Sequence, residues 1–369
     1  MIYLDSAATS FLKPPEVLRA VDKTLRRAAS PGRGAYGAAM LASEIMLEAR
    51  EAAAEFFSFS DPERVVMTMN ATHALNIAIG TLARPGDRVV ISPYEHNAVT
   101  RPLHAAGVEI DVAKSKAFDS EELLSSFREK VPGAAFVVCT HVSNVFGYIL
   151  PIDEIAAICR NCGVPLIIDA SQSAGVLCID ADALGAAFIA MPGHKSLLGI
   201  QGSGLLLCRD DVRPLLIGGS GGESVSQEMP SYMPDRLEAG TQNAPAAAAL
   251  NAGIRFIQGR GRERIVKHEK ELCRHLSRLL KERTGIELFL PPEGEQSGVL
   301  SLRIYGRDSE MVAAALAEEG ICVRSGLHCA PLAHKSIGTL ETGTVRFSFS
   351  PFNTHEEIEK TAAKLIKII

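Results

Sequence analysis

The sequence predicts an α/β protein built on a seven-stranded, mostly parallel sheet, with a smaller C-terminal α/β layer after it. Three observations lead there. Apolar runs of strand length alternate with helical patterns over residues 64–192, one further apolar run follows without room for a helix, and a long polar helix precedes a second group of strands.

The alternating runs are "RVVMTM" (64–69), "RVVISP" (88–93), "VEIDVA" (108–113), "AAFVVCT" (134–140), "PLIIDA" (165–170) and "AAFIAMP" (186–192). The next run, "GSGLLLCRD", comes too soon for a helical crossover, so it pairs antiparallel and makes the sheet mixed. A Gly-rich loop, "LIGGSGGESVSQ", and the segment "RLEAGTQNAPAAAALNAGIRFI" lead into a polar helix through "GRERIVKHEKELCRHLSRLLKERTG", which links two domains. Beyond it, "GIELFL", "GVLSLRIYG", "SEMVAAALAEEGICVRSG", "GTVRFSFS" and "THEEIEKTAAKLIKII" read as strands mixed with two helices.

With 369 residues, 47% hydrophobic and 22% charged, the chain buries an extensive core, and disorder is excluded. A net charge of −5 without a long basic run argues against nucleic acid or an anionic membrane as the main partner. "MIYLDSAATSFLKPP" lacks a charged-then-apolar leader, and no apolar run reaches the ~18 residues of a membrane span. A soluble cytoplasmic protein with a small-molecule ligand is expected. Eight cysteines, most of them in apolar runs such as those around Cys139, Cys178 and Cys208, read as small buried hydrophobes with reduced thiols. Cys159 and Cys162 have redox or metal spacing, but they close a helical pattern before a Gly and lack a second pair. Ordinary thiols and no metal are expected there.

Chemistry concentrates at strand ends, where helix N-termini and loop amides converge in an open α/β sheet. In "MNATHALN" the amides of Ala71 and Thr72 and the Thr72 hydroxyl suit a phosphate, with Asn70 as the helix cap. His96 follows the next strand, where its imidazole suits stacking on an aromatic ring. Asn144 follows 134–140, Asp169 and Gln172 follow 165–170, and His194 and Lys195 follow 186–192. Singly, an Asp at a strand end is often a helix cap and a Lys is usually solvated. Together they suit pyridoxal phosphate: Lys195 condenses with the aldehyde, and Asp169 keeps the pyridine nitrogen protonated as an electron sink.

These residues carry a resemblance. "DASQ" and "PGHK" are similar to the "D-x-S-Q" and "[S/T]-G-H-K" pieces of the class V aminotransferases of pyridoxal phosphate fold type I, and "EAGTQN" to their "E-x-G-T-x-N". The likeness runs from "YLDSAATS" to "FNTHEEI". It implies that His96 stacks on the ring, Asp169 pairs with its nitrogen, and Gln172 bonds its phenolic oxygen. It further implies that Thr72 and His194 hold phosphate and that Asn144 lies near the substrate carboxylate and the phenolic oxygen. Thr241 would reach the phosphate of a neighbouring subunit, giving a homodimer with shared active sites. The family's architecture places a large cofactor-binding domain at 15–255 and a small domain at 1–14 with 256–369. Pro192 departs from the pattern, since it offers neither the hydroxyl nor the amide that Ser or Thr brings to phosphate, which lowers cofactor affinity unless a nearby group such as Ser196 compensates.

"CVRSGLHCAP" resembles the cysteine desulfurase loop "R-x-G-x-x-C-A" of the short-loop kind, with Arg324 and Cys329 on the matching positions. The likeness implies that the Cys329 thiolate attacks the sulfur of bound L-cysteine, leaving alanine and an enzyme persulfide for an acceptor protein. Arg324, His328, His334 and Lys335 lie close enough in sequence to favour that thiolate. In "GTVRFSFSPFNT", Arg346 matches the arginine that clamps the substrate carboxylate. His96, Lys195 and Cys329 are therefore the catalytic candidates, with Asn144, Arg324 and Arg346 on the substrate. A selenocysteine lyase would use the same thiol and arginine. An aminotransferase or kynureninase-like hydrolase would keep Asp169 and Lys195 without needing Cys329, and a scaffold that has lost catalysis would need neither Lys195 nor Cys329.

Overall fold

A computed structural model describes residues 1–32 and 34–368. Strand β1 (Ile2–Tyr3) is followed by helices α1 (Pro15–Arg27) and α2 (Gly37–Phe56). The main sheet contains β2 (Val65–Thr68), β3 (Arg88–Ile91), β4 (Glu109–Val112), β5 (Phe136–Thr140), β6 (Leu166–Asp169), β7 (Phe188–Pro192) and β8 (Gly204–Cys208). Between these strands run α3 (Ala71–Leu82), α4 (Asn97–Ala105), α5 (Ser120–Lys130), α6 (Ile152–Cys162) and α7 (Ala181–Leu184).

Among the described residues the sheet has seven strands in the order β2-β8-β7-β6-β5-β3-β4. The run at 204–208 pairs antiparallel with β7, as its close spacing requires, and it also pairs antiparallel with β2. It therefore separates β2 from the parallel block. Strands β5 to β8 are buried at every position, because apolar layers cover both faces. One layer includes Phe57, Phe127, Ile155 and Ile254, and the other Leu75, Ile79, Val99 and Leu103.

Helices α8 (Ala244–Arg260) and α9 (Arg262–Leu280) lead to β9 (Ile286–Phe289), β10 (Val299–Ile304), α10 (Ser309–Glu318), β11 (Ile321–Cys322) and β12 (Arg324–Gly326). The chain closes with α11 (Pro331–Ile337), β13 (Thr344–Ser348) and α12 (His355–Ile368). An antiparallel sheet in the order β12-β13-β10-β9 packs on α9, α10 and α12 through Leu272, Leu276, Leu316, Phe347 and Leu365. The N-terminal β1 pairs with β11, and Asp5 bridges to Ser348. Helix α11 is a third helix where two were expected. It is seven residues long and starts on Pro331, so the pattern "APLAHKSIG" holds too few turns to show a period.

Cys139, Cys159, Cys208 and Cys273 are buried, but Cys178 is exposed, contrary to its apolar sequence context. It lies in irregular chain after β6 where Val176 and Ile179 turn inward and the intervening thiol turns out. Gly163, at φ 65°, ends α6 in a left-handed cap. Burial drives the Cys159 thiol up to about 12, while Cys162 points outward.

Candidate active site

The carboxyl ends of β2, β3, β5, β6 and β7 converge on a cleft lined by Ala71, Thr72, His96, Asn144, Asp169, Gln172, Pro192, His194 and Lys195. Asn70 caps α3 by accepting from the His73 amide at 2.9 Å, while the amides of Ala71 and Thr72 begin the helix without partners inside it. His96 caps α4: its Nδ1 accepts from the Ala98 amide at 3.0 Å. That bond leaves the proton of a neutral ring on Nε2. Burial pushes the imidazole down to about 4, against the pull of Asp169 and with the help of Lys195, Arg324 and Arg346.

Asp169 ends β6 almost fully buried, and its Oδ1 accepts from the Ser171 amide at 2.9 Å. The Lys195 amine is driven down to about 8 by burial, with Asp169 opposing the shift and Arg346 and Arg324 adding to it. Near neutral pH such an amine supplies far more free base than a solvated lysine does. Gln172 Nε2 donates to the Ala7 carbonyl at 3.0 Å, and His194 Nδ1 lies 3.0 Å from Thr9 Oγ1. The "YLDSAATS" strap therefore braces two cleft residues.

Pro192 lines the cleft, but Ser196 does not compensate for it. Ser196 faces a separate small cavity with Ser6, Ser10 and Glu269, because the chain turns away directly after Lys195. That turn is packed against α8, where a Cβ on Gly253 would stand 2.1 Å from the Leu197 carbonyl oxygen. Gly→Ala in a helix normally stabilises by ~0.5–1 kcal/mol, whereas overpacking costs ~1–3 kcal/mol. Gly253→Ala is therefore expected to lower the melting temperature and to shift the Lys195 turn. A melting temperature equal to or above that of the parent would contradict this packing.

A second group gathers at the mouth of the cleft. Cys329 is exposed and lines a surface groove with Thr72, His96, Asn97 and Arg101. Arg324 Nη2 lies 3.7 Å from its Sγ. His328 and Cys329 both adopt left-handed backbone, at φ 48° and 57°, which costs energy for residues with a Cβ. Two bonds fix the loop: the Asn97 amide donates to the Cys329 carbonyl at 2.7 Å, and Asn144 Nδ2 donates to the His328 carbonyl at 2.8 Å. Arg346 in turn donates from Nη1 to the Asn144 carbonyl at 2.9 Å and from Nη2 to Asp5 at 2.7 Å. Its Nε is buried without a partner.

Of the four basic residues placed near the thiol by sequence, Arg324 contacts it and the two histidines bond elsewhere. His328 Nε2 lies 3.1 Å from Thr344 Oγ1, and His334 Nδ1 lies 2.8 Å from Thr339 Oγ1. Burial pushes both rings down, His334 to about 4, so they lie in the core as neutral groups. Lys335 is exposed on α11.

Thr241 does not enter the cleft of its own chain. It is exposed beside a hollow lined by Met69, His73, Leu216 and Glu238. Glu238 anchors that loop: both carboxylate oxygens meet Arg50, at 2.7 and 2.5 Å, and Oε1 accepts the Met67 amide at 2.7 Å. Sequence reasoning missed Arg50, Asp5 and Lys13. Lys13 Nζ donates to the His194 carbonyl at 3.1 Å, and burial drives its amine down to about 8. The Lys sits in the N-terminal strap, and its distance in sequence from His194 conceals the contact.

The sequence profile described as aminotransferase class V matches residues 2–361. The chain belongs to the class V aminotransferase family. Among curated relatives, a probable cysteine desulfurase of Methanothermobacter thermautotrophicus is 37% identical, with 100% of this chain and 94% of the relative covered. A probable cysteine desulfurase of Pyrococcus abyssi is 33% identical over the same shares, 100% and 94%. Among solved structures, an apo cysteine desulfurase from Thermococcus onnurineus superposes with a TM-score of 0.91 at 32% identity, covering 100% of this chain and 94% of that one. A cysteine desulfurase from Escherichia coli, captured as the S-sulfonic acid, gives 0.87 at 25% identity, covering 100% and 95%. This class V member thus shares its fold, over its whole length, with proteins of that name.

Proposed function

We propose that this chain is a homodimeric, pyridoxal phosphate-dependent cysteine desulfurase that converts L-cysteine to L-alanine and keeps the sulfur as a persulfide on Cys329. The observation that carries the reading is the exposed Cys329 thiol beside Arg324, at the mouth of a cleft that holds both Lys195 and Asp169.

The donor set fits the cofactor. Unpaired amides at the start of α3, with Thr72 and His194, suit its phosphate, Asp169 suits a protonated ring nitrogen, and Gln172 suits the phenolic oxygen. The neutral His96 ring suits stacking. When bound, pyridoxal phosphate supplies an aldehyde for amines and an electron-withdrawing ring. Lys195 would hold the cofactor through its amine, and its Nζ, which burial makes available as free base, would take the Cα proton of the substrate. Arg346, held rigid by Asp5 and the Asn144 carbonyl, binds the substrate carboxylate with Asn144 and Arg324 close by. The Cys329 thiolate attacks the substrate sulfur; an S–S bond forms as the substrate C–S bond breaks, and L-alanine leaves. Atoms balance as one L-cysteine and one enzyme thiol giving one L-alanine and one enzyme persulfide.

Met69 and Leu216, 54% and 44% exposed, flank the hollow beside Thr241. Covering that apolar surface with a second copy brings Thr241 to the partner's phosphate, so each site is completed in trans. We divide the chain into a large domain at 15–255 and a small one at 1–14 with 256–369, with Cys329 delivered by the small one. No helix among the described residues is long and apolar enough to cross a membrane, and we place the enzyme in the cytoplasm, where a sulfur-acceptor protein relieves the persulfide.

Purified protein given pyridoxal phosphate, L-cysteine and a thiol reductant is expected to release alanine and sulfide in equal amounts. Alanine from L-selenocysteine alone would make it a selenocysteine lyase. A requirement for a 2-oxo acid would make it an aminotransferase.

A further inference from the structure

Glu95 has no part in the chemistry above, yet it is fully buried in the turn between β3 and α4, immediately before His96. Its Oε1 accepts from Ser92 Oγ at 2.5 Å and from the Thr140 amide at 2.7 Å. Thr140 stands opposite Asp169 in the β5–β6 register, so this carboxyl sits one strand from the one assigned to the cofactor. Its Oε2 is buried and has no hydrogen-bond partner. The groups facing it are the Asp169 carboxyl on β6 and the Cys139 thiol on β5; its neighbour His96 is a neutral ring.

An ionised Glu95 would place a second negative charge beside Asp169 with one oxygen unsolvated, in the low dielectric where such charge is costly. We propose that Glu95 is a positioning residue held as a neutral carboxylic acid. Its clamp on Ser92 and Thr140 sets the turn from which His96 enters the cleft, and its neutrality leaves Asp169 alone to pair with the cofactor. The proposal rests on the cofactor assignment for the second of these roles only. Burial, the dominant cause, pushes the Glu95 carboxyl up to about 8, in keeping with that geometry.

The test compares the holoenzyme with Glu95→Gln and Glu95→Ala. Glutamine keeps the shape without an ionisable proton, so it is expected to hold the cofactor at pH 6.5 within about threefold of the parent affinity. Alanine, which loses both clamping bonds, is expected to weaken it about tenfold or more. Urea unfolding gives a readout independent of the cofactor. A raised carboxyl stabilises fully below the unfolded-state value and loses that contribution as pH rises to the folded one. The parent's folding constant relative to Glu95→Gln should therefore fall about tenfold per pH unit between pH 5 and 8.

A pH-independent difference in unfolding between the parent and Glu95→Gln would overturn the proposal. If no visible absorption forms in either protein, the cofactor assignment fails and the unfolding series still decides Glu95. Should Glu95→Gln not fold, the infrared band of a protonated carboxyl in a Glu269→Gln background serves instead, because Glu269 is a second buried acid raised to about 8. The band should be present at pH 6.5 and absent at pH 10; its absence at pH 6.5 would exclude a neutral Glu95.

Discussion

Cys329→Ala is expected to cut alanine formation from L-cysteine by at least about 10³-fold while leaving the cofactor's visible absorption unchanged. The split follows from where the thiol sits. Its loop is fixed through backbone carbonyls, to Asn97 and Asn144, neither of which involves the side chain. Alanine tolerates the left-handed backbone at 329 no worse than cysteine does, since both carry a Cβ. Nothing in the cleft around Lys195 and Asp169 loses a contact. What disappears is the sulfur beside Arg324, whose Nη2 lies 3.7 Å away and aims it. Alanine release and absorption spectra of the variant, measured together, check this. Retention of more than about a tenth of parent turnover would remove Cys329 from the mechanism.

Lys195→Ala and Lys195→Arg are both expected to lose the visible absorption of the cofactor together with turnover, again by roughly 10³-fold or more. The pair separates chemistry from structure. If Lys195 served only to balance Asp169, arginine would preserve that charge and the cofactor with it, while alanine would cost ~3–5 kcal/mol by leaving a buried charge unpaired. If Lys195 is the amine that holds the aldehyde, arginine fails as completely as alanine, because a guanidinium stays protonated and is not a nucleophile. The burial that drives the Lys195 amine down to about 8 favours the second outcome. Absorption spectra and urea unfolding of both variants decide between them. An intact absorption band in Lys195→Arg would refute the assignment.

Much of the cleft was legible before any fold was drawn, and the reason is local. A strand end and the first turn of the next helix lie within a few residues, so "MNAT", "YEHNA", "DASQ" and "GHK" each carry both the anchor and the group it presents. The antiparallel run at 204–208 was legible too, because a short connection forbids a crossover helix. Signals failed where outcome depended on packing. The short α11 showed no period, and Cys178 turned outward from an apolar run.

The sequence alone determined the alternation that builds the sheet and the set of polar groups at its carboxyl edge, since hydrophobic period and helix caps are written in windows of a few residues. Tertiary structure decided which of those groups meet and in what protonation state. Arg346 finds Asp5 across 341 positions, Arg324 rather than His328 or His334 faces the thiol, and Glu95 comes to lie beside Asp169. Such contacts, and the desolvation that moves Lys195, His96 and Glu95 from their ordinary values, exist only once distant segments close around them and exclude water.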